Sequence, residues 1–199
     1  MTYKAVLWDF GGVISTSPFE SFNRYEEANG LPRDFIRTLN ATNPDTNAWA
    51  HLERNQYTVE QFAAAFEAEA AAQGHVIDAV AVLQALRGEL RPEVFEMIDA
   101  INAAGLMNAG VTNNFAPMEP SDWHAKFKVI IESSRVGVRK PDPRFYEMAC
   151  DALAVTPAEC VYLDDLGINL KPAKAMGMTT IKFVDPQVAL AELKGHLEL

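Results

Sequence analysis

Short apolar runs that end at acidic residues constrain the fold of this chain more than any other feature. The run Ala5–Trp8 stops at Asp9, and the run 160–163 stops at a pair of aspartates. Four apolar residues without polar alternation are typical of a strand that is buried on both faces of a parallel sheet. Helical patterns that begin at Pro92 and Pro143 separate such runs. This alternation predicts βαβ units and a parallel sheet with helices on both faces.

The predicted elements divide the chain into two parts. The predicted strands lie at 5–8, in a short, weakly apolar segment that reaches 111–112, and at 127–131, 160–163 and 179–184. Between the first strand and about residue 88 the patterns are helical only. We therefore expect an α/β core of residues 1–15 and 88–199, with an all-helical cap of residues 16–87 inserted after the first strand.

Charge and composition narrow the class of protein. The chain has 199 residues, of which 17 are basic and 27 acidic, and its net charge is −10. Such a chain repels phosphate backbones and anionic lipids. No run approaches the ~20 apolar residues that span a bilayer, and the N-terminal run is too short for a secretory signal. Cys150 and Cys160 lack metal-ligand spacing and suit reduced core thiols. We expect a cytoplasmic monomer or homodimer that binds neither nucleic acid nor membrane.

Polar residues cluster where the predicted strands end. In open α/β sheets, ligands bind at the carboxyl ends of the strands. The residues expected there are Asp9, Thr112, Asn113, Asn114, Lys140, Asp164 and Asp165. Taken singly, each has an ordinary structural explanation, such as a strand-end turn or a solvated lysine. Together they favour a site in which carboxylates hold a hard divalent cation and the lysine and amides hold an anion.

The motifs that carry these residues resemble those of a known superfamily. They are WDFGGV at 8–13, TNN at 112–114, KPD at 140–142 and DD at 164–165. Their order resembles the four motifs of the haloacid dehalogenase (HAD) superfamily. The segment 163–173 is similar to the phosphatase domain at the N-terminus of soluble epoxide hydrolases. The resemblance implies a HAD-type, Rossmann-like core with a helical cap, and an enzyme that hydrolyses a small phosphorylated substrate.

The resemblance also implies roles for the matching residues. Asp9 resembles the nucleophile that attacks phosphorus and becomes an aspartyl-phosphate. Three further residues match the phosphate-binding positions of the superfamily: Thr112, Asn113 and Lys140.

Mg²⁺ is the cofactor that the resemblance implies. Its ligands correspond to Asp9, the backbone carbonyl of Gly11, and Asp165, with Asp164 beside them or acting through water. Asn169 matches a supporting residue that orients the acidic loop.

One position departs from the superfamily pattern. HAD phosphatases usually carry a second Asp two residues after the nucleophile, which protonates the leaving group and later activates water; this chain has Gly11. General acid–base help is worth roughly 10²–10⁴ in rate, or about 3–5 kcal/mol. Three interpretations stay open. The first is a phosphatase that is slow, prefers leaving groups needing little protonation, or borrows an acid from the cap. The others are a non-catalytic or weakly active phosphate-binding protein, and a haloacid dehalogenase, whose leaving halide needs no proton.

The cap sequence offers two candidate contributors to the site. His51 and Glu53 lie in the segment 47–54 near the expected mouth of the site. The alternative interpretation is a surface helix that carries His51 and Arg54 on one face.

Overall fold

A five-stranded parallel sheet forms the centre of the molecule. The computed structural model describes residues 2–86 and 88–199. The strands are β1 (Ala5–Trp8), β2 (Met107–Thr112), β3 (Val129–Glu132), β4 (Cys160–Asp164) and β5 (Thr179–Lys182). Their order is β3-β2-β1-β4-β5, and all four pairings are parallel. The predicted parallel α/β sheet is confirmed, with β1 at its centre.

Ten α-helices connect or cover the strands in the described part of the chain. Five precede residue 88: α1 (Pro18–Ala28), α2 (Phe35–Ala41), α3 (Ala48–Glu53), α4 (Val59–Ala72) and α5 (Ala79–Ala85). Five follow it: α6 (Pro92–Ala103), α7 (Ser133–Val136), α8 (Pro143–Leu153), α9 (Gly167–Ala175) and α10 (Pro186–Leu197). None of these helices has both the length and the apolar character needed to cross a membrane.

Alternate residues of β1 pack into two separate apolar layers. Val6 and Trp8 join side chains from α6 and α10 on one face of the sheet. Ala5 and Leu7 join side chains from α8 and α9 on the other. All four are fully buried, which explains why the run lacks polar alternation.

The helices α1 to α5 pack around a third apolar cluster of their own. Phe22, Ile36, Leu52, Phe62 and Phe66 form its centre. In the described residues between 18 and 85 the structure contains helices and turns and no strand. These helices match the all-helical character predicted for the cap. The boundary between core and cap stays a prediction.

Two strands differ in extent from the prediction. The third strand starts at Val129, because Phe127 lies outside the ladder and packs its ring against Phe10 and Trp123. The fifth ends at Lys182. Apolar character marked these positions as strand. Phe127 and Phe183 are apolar because they are buried in the core, whereas Val184 is exposed.

Candidate active site

Three aspartates meet at the carboxyl edge of the sheet. The register pairs Trp8 with Leu163, so Asp9 and Asp164 leave β1 and β4 at the same level. With Asp165, their carboxylates place one oxygen each within 4.8 Å of one another. Asp9 and Asp164 are buried and Asp165 is half-buried. The sheet therefore brings together the three carboxylates that the sequence singled out.

Lys140 lies between two of these carboxylates. Its Nζ is 2.7 Å from Oδ1 of Asp9 and 2.9 Å from Oδ2 of Asp164. The lysine is only 1% exposed although it precedes the first turn of α8. The charge of one ammonium compensates part of the charge of three carboxylates, and an excess of negative charge remains at the sheet edge.

Asn113 binds the backbone of Lys140. The amide nitrogen of Lys140 donates to Oδ1 of Asn113 over 2.8 Å, and Nδ2 of Asn113 donates to the Lys140 carbonyl over 3.0 Å. Both ends of the Asn113 side chain are thus engaged in holding the lysine loop. Thr112 is buried at the end of β2, where its hydroxyl donates to the carbonyl of Asn113.

Asp164 is held by donors from four directions. Besides Lys140, it accepts hydrogen bonds from the Tyr162 hydroxyl, from the backbone N–H of Leu166 (2.7 Å) and from Nδ2 of Asn169 (3.0 and 3.1 Å). A carboxylate with this many donors is fixed in place, which leaves Asp165 as the more adaptable member of the pair.

Tyr162 is a site residue that the sequence analysis missed. It is fully buried in β4, two residues before the aspartate it binds. Its ring packs edge-on against Tyr146, whose hydroxyl donates to the carbonyl of Asn169 over 2.7 Å. The sequence feature that could have identified Tyr162 is a tyrosine inside an otherwise apolar buried strand, because a buried phenol needs a hydrogen-bond partner.

Burial and mutual charge shift the pKa values of the cluster. Burial and the charge of Asp164 raise the pKa of Asp9 well above its usual range, although Lys140 opposes this. Burial disfavours the charged form of Lys140, but the carboxylates of Asp164 and Asp9 outweigh it and raise the lysine pKa. Lys140 is therefore a permanent cation at neutral pH.

Asp165 and Gly12 are in close contact. Burial, and then the charge of Asp164, raise the pKa of Asp165 to about 6. Gly12 has φ = +83°, and a Cβ built on it would lie 2.4 Å from Oδ2 of Asp165. Only glycine fits here, because any side chain meets both a strained backbone and the carboxylate.

The set of donors fits a hard divalent cation. Three carboxylates on one edge repel one another, and the only ligand atoms they offer are oxygens. Oxygen-only sets with several carboxylates suit Mg²⁺ or Ca²⁺ rather than softer metals. Gly11 follows Asp9 by two residues and brings a backbone carbonyl but no carboxylate.

The two cap candidates differ in their surroundings. Nδ1 of His51 lies 2.7 Å from Oε1 of Gln56, and the His51 ring stacks on Tyr57. Glu53 is buried, and its Oε2 lies 2.7 Å from Nε of Arg139, the residue before Lys140. The structure thus ties Glu53 to the lysine loop, whereas His51 contacts neighbours within its own segment.

Comparison with known proteins identifies the family. The profile of the haloacid dehalogenase-like hydrolases matches residues 3–177. The chain belongs to this family of hydrolases. The HAD-type α/β core that the sequence predicted is therefore confirmed.

Curated relatives include both much longer proteins and phosphatases of similar length. The chain is 32% identical to mouse acyl-CoA dehydrogenase family member 10 and 30% identical to mouse bifunctional epoxide hydrolase 2, over 98% of its own length in each case. It spans only 19% and 39% of those proteins. It is 25% identical to the sesquiterpene phosphatase astK of Aspergillus oryzae, over 97% of this chain and 96% of that protein.

Solved structures share the fold at low sequence identity. A HAD-like hydrolase from Porphyromonas gingivalis superposes with a TM-score of 0.73 at 19% identity and full coverage of both chains. A HAD enzyme from Bacteroides thetaiotaomicron, solved with magnesium and inorganic phosphate, gives 0.64 at 15% identity over 90% and 93% of the two chains. An L-2-haloacid dehalogenase from Xanthobacter autotrophicus gives 0.65 at 20% identity over 98% and 83%.

Proposed function

We propose that this hydrolase is a Mg²⁺-dependent phosphatase that acts on a small phosphorylated substrate through an aspartyl-phosphate on Asp9. One observation carries the proposal: Lys140 touches Asp9 while Asp165 completes a three-carboxylate cluster beside them. Anion-binding and cation-binding groups thus meet at one carboxylate, as phosphoryl transfer requires. The phosphatases among the relatives, and the relative crystallised with magnesium and phosphate, support the same assignment.

In the first step, Asp9 attacks the phosphorus atom. Lys140 and the N–H of Phe10 both bind Oδ1 of Asp9 and hold the carboxylate in place. A bond forms between a carboxylate oxygen of Asp9 and phosphorus. The bond from phosphorus to the leaving oxygen breaks, and the leaving group departs with that electron pair. Lys140 partly neutralises the transferring group, and Asn113 keeps the lysine in place.

In the second step, water attacks the phosphorus of the aspartyl-phosphate, which releases inorganic phosphate and regenerates Asp9. Asp9, Asp165 and the carbonyl of Gly11 would hold Mg²⁺, and Asp164, fixed by Asn169, would support them. A bound Mg²⁺ supplies electrostatic stabilisation of the negative charge on the phosphoryl oxygens. The helices of residues 16–87 would act as the cap over this site.

Gly11 favours a second candidate function. Without the carboxylate that usually serves as acid and base, the same site would bind Mg²⁺ and phosphate with little or no turnover. The chain would then be a phosphate-ligand binding protein. A dehalogenase, the third interpretation, has no need for the cation that the three carboxylates favour.

Turnover of phosphate esters and acyl phosphates, with Mg²⁺ or with a chelator, tests the proposal. We expect Mg²⁺-dependent release of phosphate that is lost in Asp9→Asn and kept in Asp151→Asn, a control at an exposed position on α8. Tight Mg²⁺-linked phosphate binding without turnover would support the binding protein instead. Release of halide from a haloacid in chelator would contradict both.

A further inference from the structure

The start of α1 lies against the position where the second aspartate is missing. A Cβ built on Gly11 would lie 3.3 Å from Cδ of Pro18, the first residue of α1. A side chain at Gly11 would therefore point towards this helix. The next residue, Phe19, is half-buried and packs against the apolar cluster of the cap. The cap thus borders the leaving-group side of the proposed phosphate site.

Arg37 of α2 is held over the ring of Phe19. Its guanidinium carbon is 4.4 Å from the ring centroid, in the geometry of a cation–π contact. No carboxylate in the described residues forms an ion pair with Arg37. The planar group is therefore oriented by an aromatic face while its five N–H donors are not taken up by an acid.

The contact with Phe19 places Arg37 one residue along α1 from Pro18, the residue that borders Gly11. Burial and Asp164 raise the pKa of Asp165, whereas the positive charges of Lys140 and Arg37 oppose that rise. Lys140 is in the core and is committed to Asp9 and Asp164. Arg37 is the positive charge that the cap helices add, and its side chain is exposed and accessible to a ligand.

We infer that Arg37 binds a second anionic group, a carboxylate or a second phosphate, on the leaving-group side of the substrate. The inference deepens the proposed phosphatase function and rests on it for the identity of the first group. A guanidinium binds carboxylates and phosphates with paired N–H donors, which gives both affinity and orientation. An anionic leaving group also suits a site without an acid at Gly11, because a nearby cation stabilises the charge that develops on departure.

Three two-carbon substrates separate the effect of the second group from that of the phosphate. Ethyl phosphate has no second anion, phosphoglycolate adds a carboxylate, and ethylene glycol bisphosphate adds a phosphate. We expect Arg37→Ala to lower kcat/KM about 10- to 100-fold for whichever anionic substrate the site prefers, and less than about twofold for ethyl phosphate. Arg37→Lys keeps the charge and recovers part of the loss.

The control is Arg33→Ala, which removes the same charge from an exposed position two residues before α2. Equal losses for Arg37→Ala and Arg33→Ala, or equal losses for all three substrates, would overturn the inference. A loss confined to phosphoglycolate assigns a carboxylate, and one confined to the bisphosphate assigns a second phosphate.

Binding of inert phosphonates keeps the test independent of turnover. With Mg²⁺ present, the wild-type protein should bind phosphonoacetate or ethylene-1,2-bisphosphonate more tightly than ethylphosphonate, and Arg37→Ala should abolish the difference. If this holds while no ester is hydrolysed, the proposed phosphatase activity fails and the anion site stands. If esters are hydrolysed but all three phosphonates bind equally, the anion site fails and the phosphatase stands.

Discussion

Gly11 lies against Pro18, and a Cβ built on the glycine would lie 3.3 Å from Cδ of the proline. The φ angle of Gly11 lies outside the left-handed region, unlike that of Gly12. The backbone at Gly11 therefore accepts an L side chain without strain. The proline ring has to yield by only a few tenths of an ångström.

Restoring the usual carboxylate should speed the reaction of poor leaving groups. Gly11→Asp is expected to raise kcat/KM for alkyl phosphates by about tenfold or more, because an acid then protonates the leaving oxygen. p-Nitrophenyl phosphate should gain much less, since its leaving group needs little protonation. Steady-state kinetics on both substrates provide the measurement.

Gly11→Ala controls for the added Cβ in this comparison, and melting temperatures of both variants show whether Pro18 tolerates it. A folded Gly11→Asp protein that binds Mg²⁺ but gains nothing on any alkyl phosphate would show that leaving-group protonation does not limit the reaction.

Asp165 should make the metal-free protein less stable as pH rises. Its pKa is raised to about 6, against about 3.9 in an unfolded chain. Between these values the native state binds the proton more tightly, so the free energy of unfolding decreases as pH rises through about 4–6. The free energy of unfolding of Asp165→Asn is thus expected to be about 1–3 kcal/mol higher than that of wild type at pH 7 in chelator. Urea unfolding measures both values.

Mg²⁺ should make wild type more stable than Asp165→Asn, because a cation needs the ionised carboxylates. It should raise the melting temperature of wild type at pH 7 far more than at pH 5, and leave Asp165→Asn almost unchanged. Asp151→Asn should behave like wild type throughout. An equal Mg²⁺ effect on Asp165→Asn would remove this residue from the metal site.

The Tyr162 hydroxyl should stabilise the fold through Asp164. Tyr162→Phe deletes a buried donor to an ionised carboxylate and is expected to lower the free energy of unfolding by about 1–3 kcal/mol. The matched control is Tyr57→Phe, since that half-buried ring stacks on His51. Urea unfolding in chelator gives both values; the same small change in the two variants would mean that the phenol contributes nothing through Asp164.

The Glu53–Arg139 pair should couple the cap helices to the lysine loop. Arg139→Ala leaves the buried Glu53 carboxylate, whose pKa burial already raises, without its cation. We expect a loss of about 3 kcal/mol in the free energy of unfolding. Adding Glu53→Gln should recover part of it, because the unpaired charge is then gone. A double variant no more stable than Arg139→Ala alone would show that the pair is not coupled.

The sequence predicted the sheet because the buried strands read as unbroken apolar runs, and it placed Asp9 and Asp164 together because parallel strands end at one edge. It did not predict what those side chains bind. The contacts of Asn113 with the Lys140 backbone and of Tyr162 with Asp164 depend on loop and rotamer geometry. Nor does a pattern distinguish Arg37 from the other arginines of residues 18–85, since only the packing of α2 on α1 sets it over Phe19.

The most direct test of the central claim is the time course of p-nitrophenol release in the first turnover with Mg²⁺. A good leaving group needs no acid, so Asp9 should be phosphorylated quickly, whereas the second step lacks the base that would activate water. The account predicts a burst close to one equivalent per active site, followed by slow Mg²⁺-dependent turnover, both absent in Asp9→Asn. Turnover that persists in Asp9→Asn, with no burst in wild type, would contradict it.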